Sequence, residues 1–386
     1  MIDLDANATT QLLPEVLDAM LPWLREGYAN PSGAYTAAKA ARKAIEQARG
    51  QVAELIGAEL EEIVFTGGGT ESVNTALRSL DALVGPGAAH VSAIEHSAVL
   101  RCVENLPRET QLATVNAGGR LDIDAFALHL EGAAFISIMM ANNETGIIQP
   151  LREAAEIAHA RGLPVHSDAI QAIGKIPVNV RETQVDLLSI SAHKFHGPKG
   201  MGALYIRRGL KFKPLLWGGG QESGRRSGTE NTAGIVGMGA AAVSAMRHLT
   251  HPPQTPMSAL RDAFENGILA ELSGVTVNGD RAHRLPNTSH LSFDGCDAAG
   301  LLILLDEFGI ACSAGSACMT GKQRPSHVQL AMGIPEQRAK SSLRISFSRI
   351  STMEDALNAI QSVKKAVEKL RRVQGPGIGP VAVYSP

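Results

Sequence analysis

Between residues 63 and 206 the chain repeats one pattern, a short apolar run followed by a turn signal or an amphipathic stretch, and few folds accommodate it. The apolar runs are Ile63–Phe65, Ala88–Ser92, Ala134–Met140, Leu163–Ser167, Leu187–Ser191 and Gly202–Ile206. Near-continuous apolar runs of this length read as strands buried on both faces. Amphipathic stretches such as Leu151–Ala160 read as the helices between them. Strands alternating with helices predict an α/β fold whose mainly parallel sheet is covered on both sides. In such sheets a ligand sits at the carboxyl ends of the strands.

The pattern changes at Thr250-His251-Pro252-Pro253-Gln254-Thr255-Pro256, where three prolines in seven residues predict a linker. Helices and the strands Thr288–Phe293 and Leu343–Phe347 follow, as expected of a smaller α+β domain. The last helix is expected from about Ser351. Ser351 and Glu354 have capping-box spacing, and Met353, Leu357, Ile360, Val363, Val367 and Leu370 form one apolar face. The expected division is a large domain over 14–250 and a small one over 1–13 and 251–386, with a loose tail at 375–386. A net charge of −2 gives no electrostatic footprint for direct binding of nucleic acid or an anionic membrane. No apolar run reaches the roughly 20 residues that cross a bilayer. The acidic opening Met1–Asp5 does not resemble a signal peptide, so a cytoplasmic location is expected.

Three stretches carry chemistry. Ile63–Phe65 runs into Gly67-Gly68-Gly69-Thr70, a strand meeting glycines at a helix start. Bare N–H groups there suit a phosphate, and Thr70 adds a hydroxyl; a purely structural βα turn fits the same residues. The turn lacks the Gly-Lys-Ser/Thr of a P-loop and the spacing of a dinucleotide fingerprint. Ser191-Ala192-His193-Lys194 sits at the end of another strand, before a loop rich in glycine and proline. A partly desolvated lysine there can bond covalently to an aldehyde cofactor, and Ser191 and His193 can reach the phosphate. Asp168 ends the strand before it, where it either meets a protonated pyridine nitrogen or caps a helix, and Gln171 follows within reach of a ring oxygen. His193 and His196 have helical spacing, but glycine and proline follow at once, so no intrinsic metal site is expected.

Taken in order, Gly68-Gly69-Thr70-Glu71-Ser72, Glu95-His96, Asn142-Asn143-Glu144-Thr145-Gly146, Asp168-Ala169-Ile170-Gln171, Ser191-Ala192-His193-Lys194 and Arg226-Ser227-Gly228-Thr229-Glu230-Asn231 resemble the cysteine desulfurases. These are class V, fold-type I enzymes of pyridoxal 5'-phosphate (PLP). The likeness is greatest to the nitrogen-fixation (NifS-like) and housekeeping (IscS-like) group, and runs from Leu4–Thr10 to the last helix. It implies a seven-stranded sheet and a homodimer. It also implies roles. Lys194 is similar to the lysine that carries the cofactor, Asp168 to the ring-nitrogen partner, Gln171 to the phenolic-oxygen partner, and His96 to the histidine stacked on the ring. Asn143 matches an asparagine at cofactor and substrate. Gly69, Thr70, Ser191 and His193 match phosphate contacts, and Thr229 matches one supplied by the partner subunit. Arg344 matches the arginine that grips the substrate carboxylate.

The reaction is chosen by a cysteine. Cys318 lies in Ser313-Ala314-Gly315-Ser316-Ala317-Cys318, a small-residue stretch suited to a mobile loop, and matches the family's persulfide-forming cysteine. Cys312 is its closest rival and reads as a packed thiol; Cys102 and Cys296 carry no motif. The resemblance thus implies L-cysteine as substrate, L-alanine as product, and an iron–sulfur scaffold or other sulfur-acceptor protein as partner, with which Cys318 can share a cluster. A selenocysteine lyase, another class V aminotransferase-like enzyme and a sulfur donor for nucleic-acid thiolation are the alternatives. Three positions depart from the family pattern. Tyr35 replaces a histidine, Ser223 an arginine, and Val73 a polar residue.

Overall fold

The computed structural model describes residues 1–314 and 325–374. Its strands, in chain order, are β1 (Ile2–Asp3), β2 (Ile63–Thr66), β3 (Ala88–Ser92), β4 (Thr110–Ala113), β5 (Ala133–Ser137), β6 (Val165–Asp168), β7 (Leu187–Ser191), β8 (Gly202–Ile206), β9 (Val275–Val277), β10 (Thr288–Phe293), β11 (Ile310–Ala311), β12 (Ser313–Ala314) and β13 (Ser342–Ser346). Seven form one sheet in the order β2-β8-β7-β6-β5-β3-β4. β8 runs antiparallel to both its neighbours and the remaining pairs are parallel, so the expected α/β class holds.

Alternation along the strands sends side chains into two separate apolar layers. Ile63, Phe65, Leu188, Ile190, Ala203 and Tyr205 pack on one face with the helices Pro14–Arg25, Thr36–Leu55, Leu151–His159 and Thr232–Thr250. Val64, Leu187, Leu204 and Ile206 pack on the other with Gly69–Leu83 and Ser97–Glu104. With both faces covered, the central strands carry no exposed residue, which is why they read as apolar runs. Some of the polar exceptions pair with one another. Ser137 Oγ, His166, Ser189 Oγ and Ser72 Oγ form a buried chain with spacings of 2.9, 2.9 and 3.0 Å.

A third apolar cluster gathers Leu4 with residues from Leu260 to Leu370, around the antiparallel sheet β12-β13-β10-β9 and the short parallel pair β1-β11. The prolines at 252–256 lie in an exposed connection between the helices Thr232–Thr250 and Met257–Glu271.

Several local expectations are corrected. β5 ends at Ser137, three residues early, although Ile138 and Met140 still donate to the carbonyls of His166 and Asp168 at 3.1 and 2.9 Å. The edge strand β4 carries mixed exposure and gave no apolar run. The last helix, Met353–Gln374, is capped one residue later than expected. Thr352 Oγ1 accepts from Asp355 N at 3.1 Å, while Asp355 Oδ2 takes Thr352 N at 2.8 Å. Leu357 is 54% exposed and outside the buried face, where Ala356, Ala359 and Ala366 complete the stripe.

Candidate active site

Because β2, β3, β5, β6 and β7 share one direction, their carboxyl ends meet on one edge, and the segment Leu4–Thr10 crosses it. β2 delivers Gly67–Gly69 and the N-terminus of the helix Gly69–Leu83. Gly68 sits at φ 137°, a region that other residues rarely enter. A Cβ on Gly69 would lie 2.3 Å from Ile170 Cδ1 and 3.2 Å from Ser191 Cβ, so a larger residue would push the Ile170 side chain aside and crowd Ser191 on β7. The cleft it borders has a volume of about 470 Å³ and is lined by Thr9, Gly68, Gly69, Thr70, Ser191, His193 and Lys199 among others. Glu71 enters the same cleft, but its carboxylate already takes Arg226 Nε at 2.8 Å and Gly67 N at 2.8 Å, which offsets its charge. Helix N–H groups, three hydroxyls and a lysine form the donor set a phosphate requires.

Lys194 lies in a tight turn just beyond β7, with Nζ donating to the carbonyls of Asn7 and Ala8 at 2.6 Å each. Burial, reinforced by Arg344, lowers its pKa to about 8. An amine is therefore accessible at neutral pH, as attack on an aldehyde demands. Asp168, 3% exposed at the end of β6, accepts Ile170 N at 2.9 Å on Oδ1. Burial raises it to about 6, so a cation placed against it, such as a pyridinium, would restore its charge. His96 is the N-cap of the helix Ser97–Glu104, its Nδ1 accepting from Ala98 N at 3.1 Å, and burial with the Lys194 charge lowers its pKa. The proton of the neutral ring is thus on Nε2. The glycine cradle, the Lys194 amine, the buried Asp168 carboxyl and the neutral His96 ring, each at or just beyond a strand end, are the kinds of group that PLP would need.

Arg344, on β13, donates from Nη1 to the Asn143 carbonyl at 3.0 Å and from Nη2 to Asp5 Oδ1 at 2.5 Å, while its buried Nε has no partner among the described residues. Gln171 is buried, with Nε2 donating to the Asn7 carbonyl at 2.9 Å. Thr229 is exposed and is not among the residues lining the glycine cleft of its own chain. Cys318 lies outside the described residues. Burial pushes the thiols of Cys102 and Cys296 up to about 11 and that of Cys312 to about 12, so none of the three favours a thiolate.

Sequence reasoning missed the polar frame beneath these groups. Asn142, fully buried, accepts Glu144 N, Thr145 N and Thr145 Oγ1 at 2.9, 2.9 and 3.1 Å and thereby shapes the turn holding Asn143. Asn7 bonds Thr288, Asn287 and Lys175 through its side chain alone. Glu95 accepts Ser92 Oγ and Met139 N, and burial raises its carboxyl to about 8. The signal for Asn142 and Glu95 was the motif order, in which each precedes a residue already singled out, whereas Asn7 lies within the Leu4–Thr10 stretch with no such neighbour. Among the departures, Val73 is fully buried in the second apolar layer, Tyr35 is exposed beside the helix Thr36–Leu55, and Ser223 holds a positive φ of 56° in an exposed turn.

The model of the family described as aminotransferase class-V matches residues 2–358. The chain is 44% identical over 377 residues to a protein of Gluconacetobacter diazotrophicus called cysteine desulfurase, covering 96% of this chain and 94% of that one. It is 43% identical over 386 residues to cysteine desulfurase NifS of Azotobacter vinelandii, covering 98% and 96%. Among solved structures, a NifS-like protein superposes with a TM-score of 0.89 at 34% identity, covering 95% of this chain and 99% of that one. On these matches the chain belongs to the aminotransferase class-V family, among its cysteine desulfurases.

Proposed function

We propose that this protein takes sulfur from L-cysteine with PLP as cofactor, releases L-alanine, and holds the sulfur on Cys318 as a persulfide for an acceptor protein. The observation that carries this reading is the meeting of Lys194, Asp168, Gln171 and the Gly67–Thr70 cradle on one sheet edge. When bound, PLP supplies an electron sink that loosens the substrate α-proton. Gly69, Thr70, Ser191 and His193 hold its phosphate, joined by Thr229 from the second copy in a homodimer. Asp168 faces the ring nitrogen, Gln171 the ring oxygen, and His96 stacks on the ring. Arg344 and Asn143 bind and orient the substrate carboxylate. Lys194 Nζ, freed near neutral pH by its lowered pKa, moves the α-proton, with His96 Nε2 as its neighbour. The Cys318 thiolate then attacks the substrate sulfur. The three raised thiols elsewhere in the chain support Cys318 in that role.

The NifS likeness supports iron–sulfur cluster assembly as the destination, with nitrogen fixation as a setting and a cluster scaffold as acceptor. No helix among the described residues is long and apolar enough to cross a membrane, which agrees with work in the cytoplasm.

Single turnover with L-cysteine in the absence of reductant tests the reading, comparing wild type with Cys318→Ala by alanine yield and intact mass. One alanine per site, with an added sulfur in wild type alone, is expected. Alanine without a sulfur on Cys318 would shift the role to another thiol, Cys312 first. No alanine would overturn the substrate and point to selenocysteine.

A further inference from the structure

Lys175 has no part in the reading above, yet it is 7% exposed and lies at the centre of the site. Its Nζ donates to Gln171 Oε1 at 2.5 Å and to Asn7 Oδ1 at 2.8 Å. Gln171 in turn donates from Nε2 to the Asn7 carbonyl at 2.9 Å, the same oxygen that takes Lys194 Nζ at 2.6 Å. These contacts leave the Gln171 amide one orientation. Turned over, it would set its N–H groups against the Lys175 donor and its oxygen against the Asn7 carbonyl, losing both bonds at once. The observed orientation sends the amide nitrogen to the oxygen it shares with Lys194, and one of its two N–H groups stays free for a ligand.

We infer that Lys175 is a positioning residue that locks the Gln171 amide with its N–H side toward Lys194, and so sets the hydrogen bond Gln171 gives the cofactor's ring oxygen. The inference rests on the PLP reading above. Burial together with the nearby Lys194 and Arg344 charges holds the Lys175 pKa far below that of a free lysine, so an amine can occupy this place without setting a second full charge beside Lys194. A neutral amine still has the two N–H groups needed to meet both acceptors.

The test compares the visible spectrum of the bound cofactor, and its pH titration, in wild type, Lys175→Met, Gln171→Leu and the double variant. Lys175→Met should displace the absorption maximum or titration midpoint in the same direction as Gln171→Leu. The double variant should add nothing further, and kcat should fall about three- to tenfold, the loss of one hydrogen bond. A folded Lys175→Met with a wild-type spectrum overturns the inference, and so do effects that add in the double variant. If Lys175→Met does not fold, both criteria pass to Lys175→Gln, whose shorter side chain falls short of Gln171. Wild-type protein that acquires no visible absorbance with PLP defeats the cofactor reading itself, whereas an unaltered spectrum in the variants defeats this inference alone.

Discussion

Lys194 shows how one residue's chemistry is set by neighbours distant in sequence. Burial and Arg344 lower its pKa from 10.5 to about 8, against the opposing pull of Asp5 and Asp168. Between those values the unfolded chain binds a proton that the folded chain does not, so Lys194 makes folding more favourable as pH rises through that window. Its penalty is fully present below about 8. The same shift governs reaction with an aldehyde. The rate at which apoprotein takes up PLP, followed by absorbance, should rise about tenfold per pH unit on the acid side and level off near pH 8. A midpoint above about 10, the range of free lysine, would show that the amine is not desolvated. Lys194, Asp168, Ser191 and His193 were legible in sequence because each ends or follows a recognisable strand. Lys175 was not, since its importance lies in contacts with Gln171 and Asn7, the second 168 positions away.

At the level of elements, the segment around Gln221–Asn231 is tied to the large sheet by one buried pair. Glu222 accepts Arg49 Nη1 at 2.6 Å, Arg49 Nη2 at 2.9 Å and Phe65 N at 2.9 Å, so it joins the helix Thr36–Leu55, β2 and the turn that carries Ser223. Glu222→Gln would leave the Arg49 guanidinium buried beside a neutral amide. It should cost about 3–5 kcal/mol in urea unfolding. A loss under about 1 kcal/mol would show that Glu46, which Arg49 also meets at 3.1 Å, suffices as its partner. The sequence marked this turn only by the departure at Ser223, and its role as a tether was not legible. An acid in a glycine-rich loop gives no hint that it is buried until the partner arginine, on a separate helix, is placed. The cap of the last helix shows the same limit on a small scale. Ser351–Glu354 and Thr352–Asp355 have equal spacing, and the closing hydrogen bonds select the second.

Across the whole molecule, Asn7 connects parts that lie far apart in the chain. It is 1% exposed and bonds Lys175 and Gln171 beneath the large sheet's edge and Asn287, Thr288 and Ser346 of the smaller antiparallel assembly. Asn7→Ala would strand Lys175 and Asn287 and should lower stability by about 3 kcal/mol in urea unfolding, with weaker cofactor retention. Unchanged stability would mean that the connection is dispensable. The division proposed from sequence, 14–250 and 1–13 with 251–386, would put Leu13 and Leu285 in the smaller part, yet both pack in the larger sheet's apolar cluster, and Val328 and Met332 join Ile94 and Met139. The sequence by itself determined the α/β class, the strands of the sheet interior and the order of chemical groups along its edge. Burial on both faces forces apolar runs, and a strand end followed by glycine, lysine or aspartate is a local signal. Tertiary structure alone decided the reversed direction of β8, the lowered pKa of Lys194, the Arg344–Asp5 pair and the frame of Asn7, Asn142 and Lys175. Strand direction depends on the path of connections, and a pKa or a hydrogen bond depends on groups that only folding brings within a few ångströms.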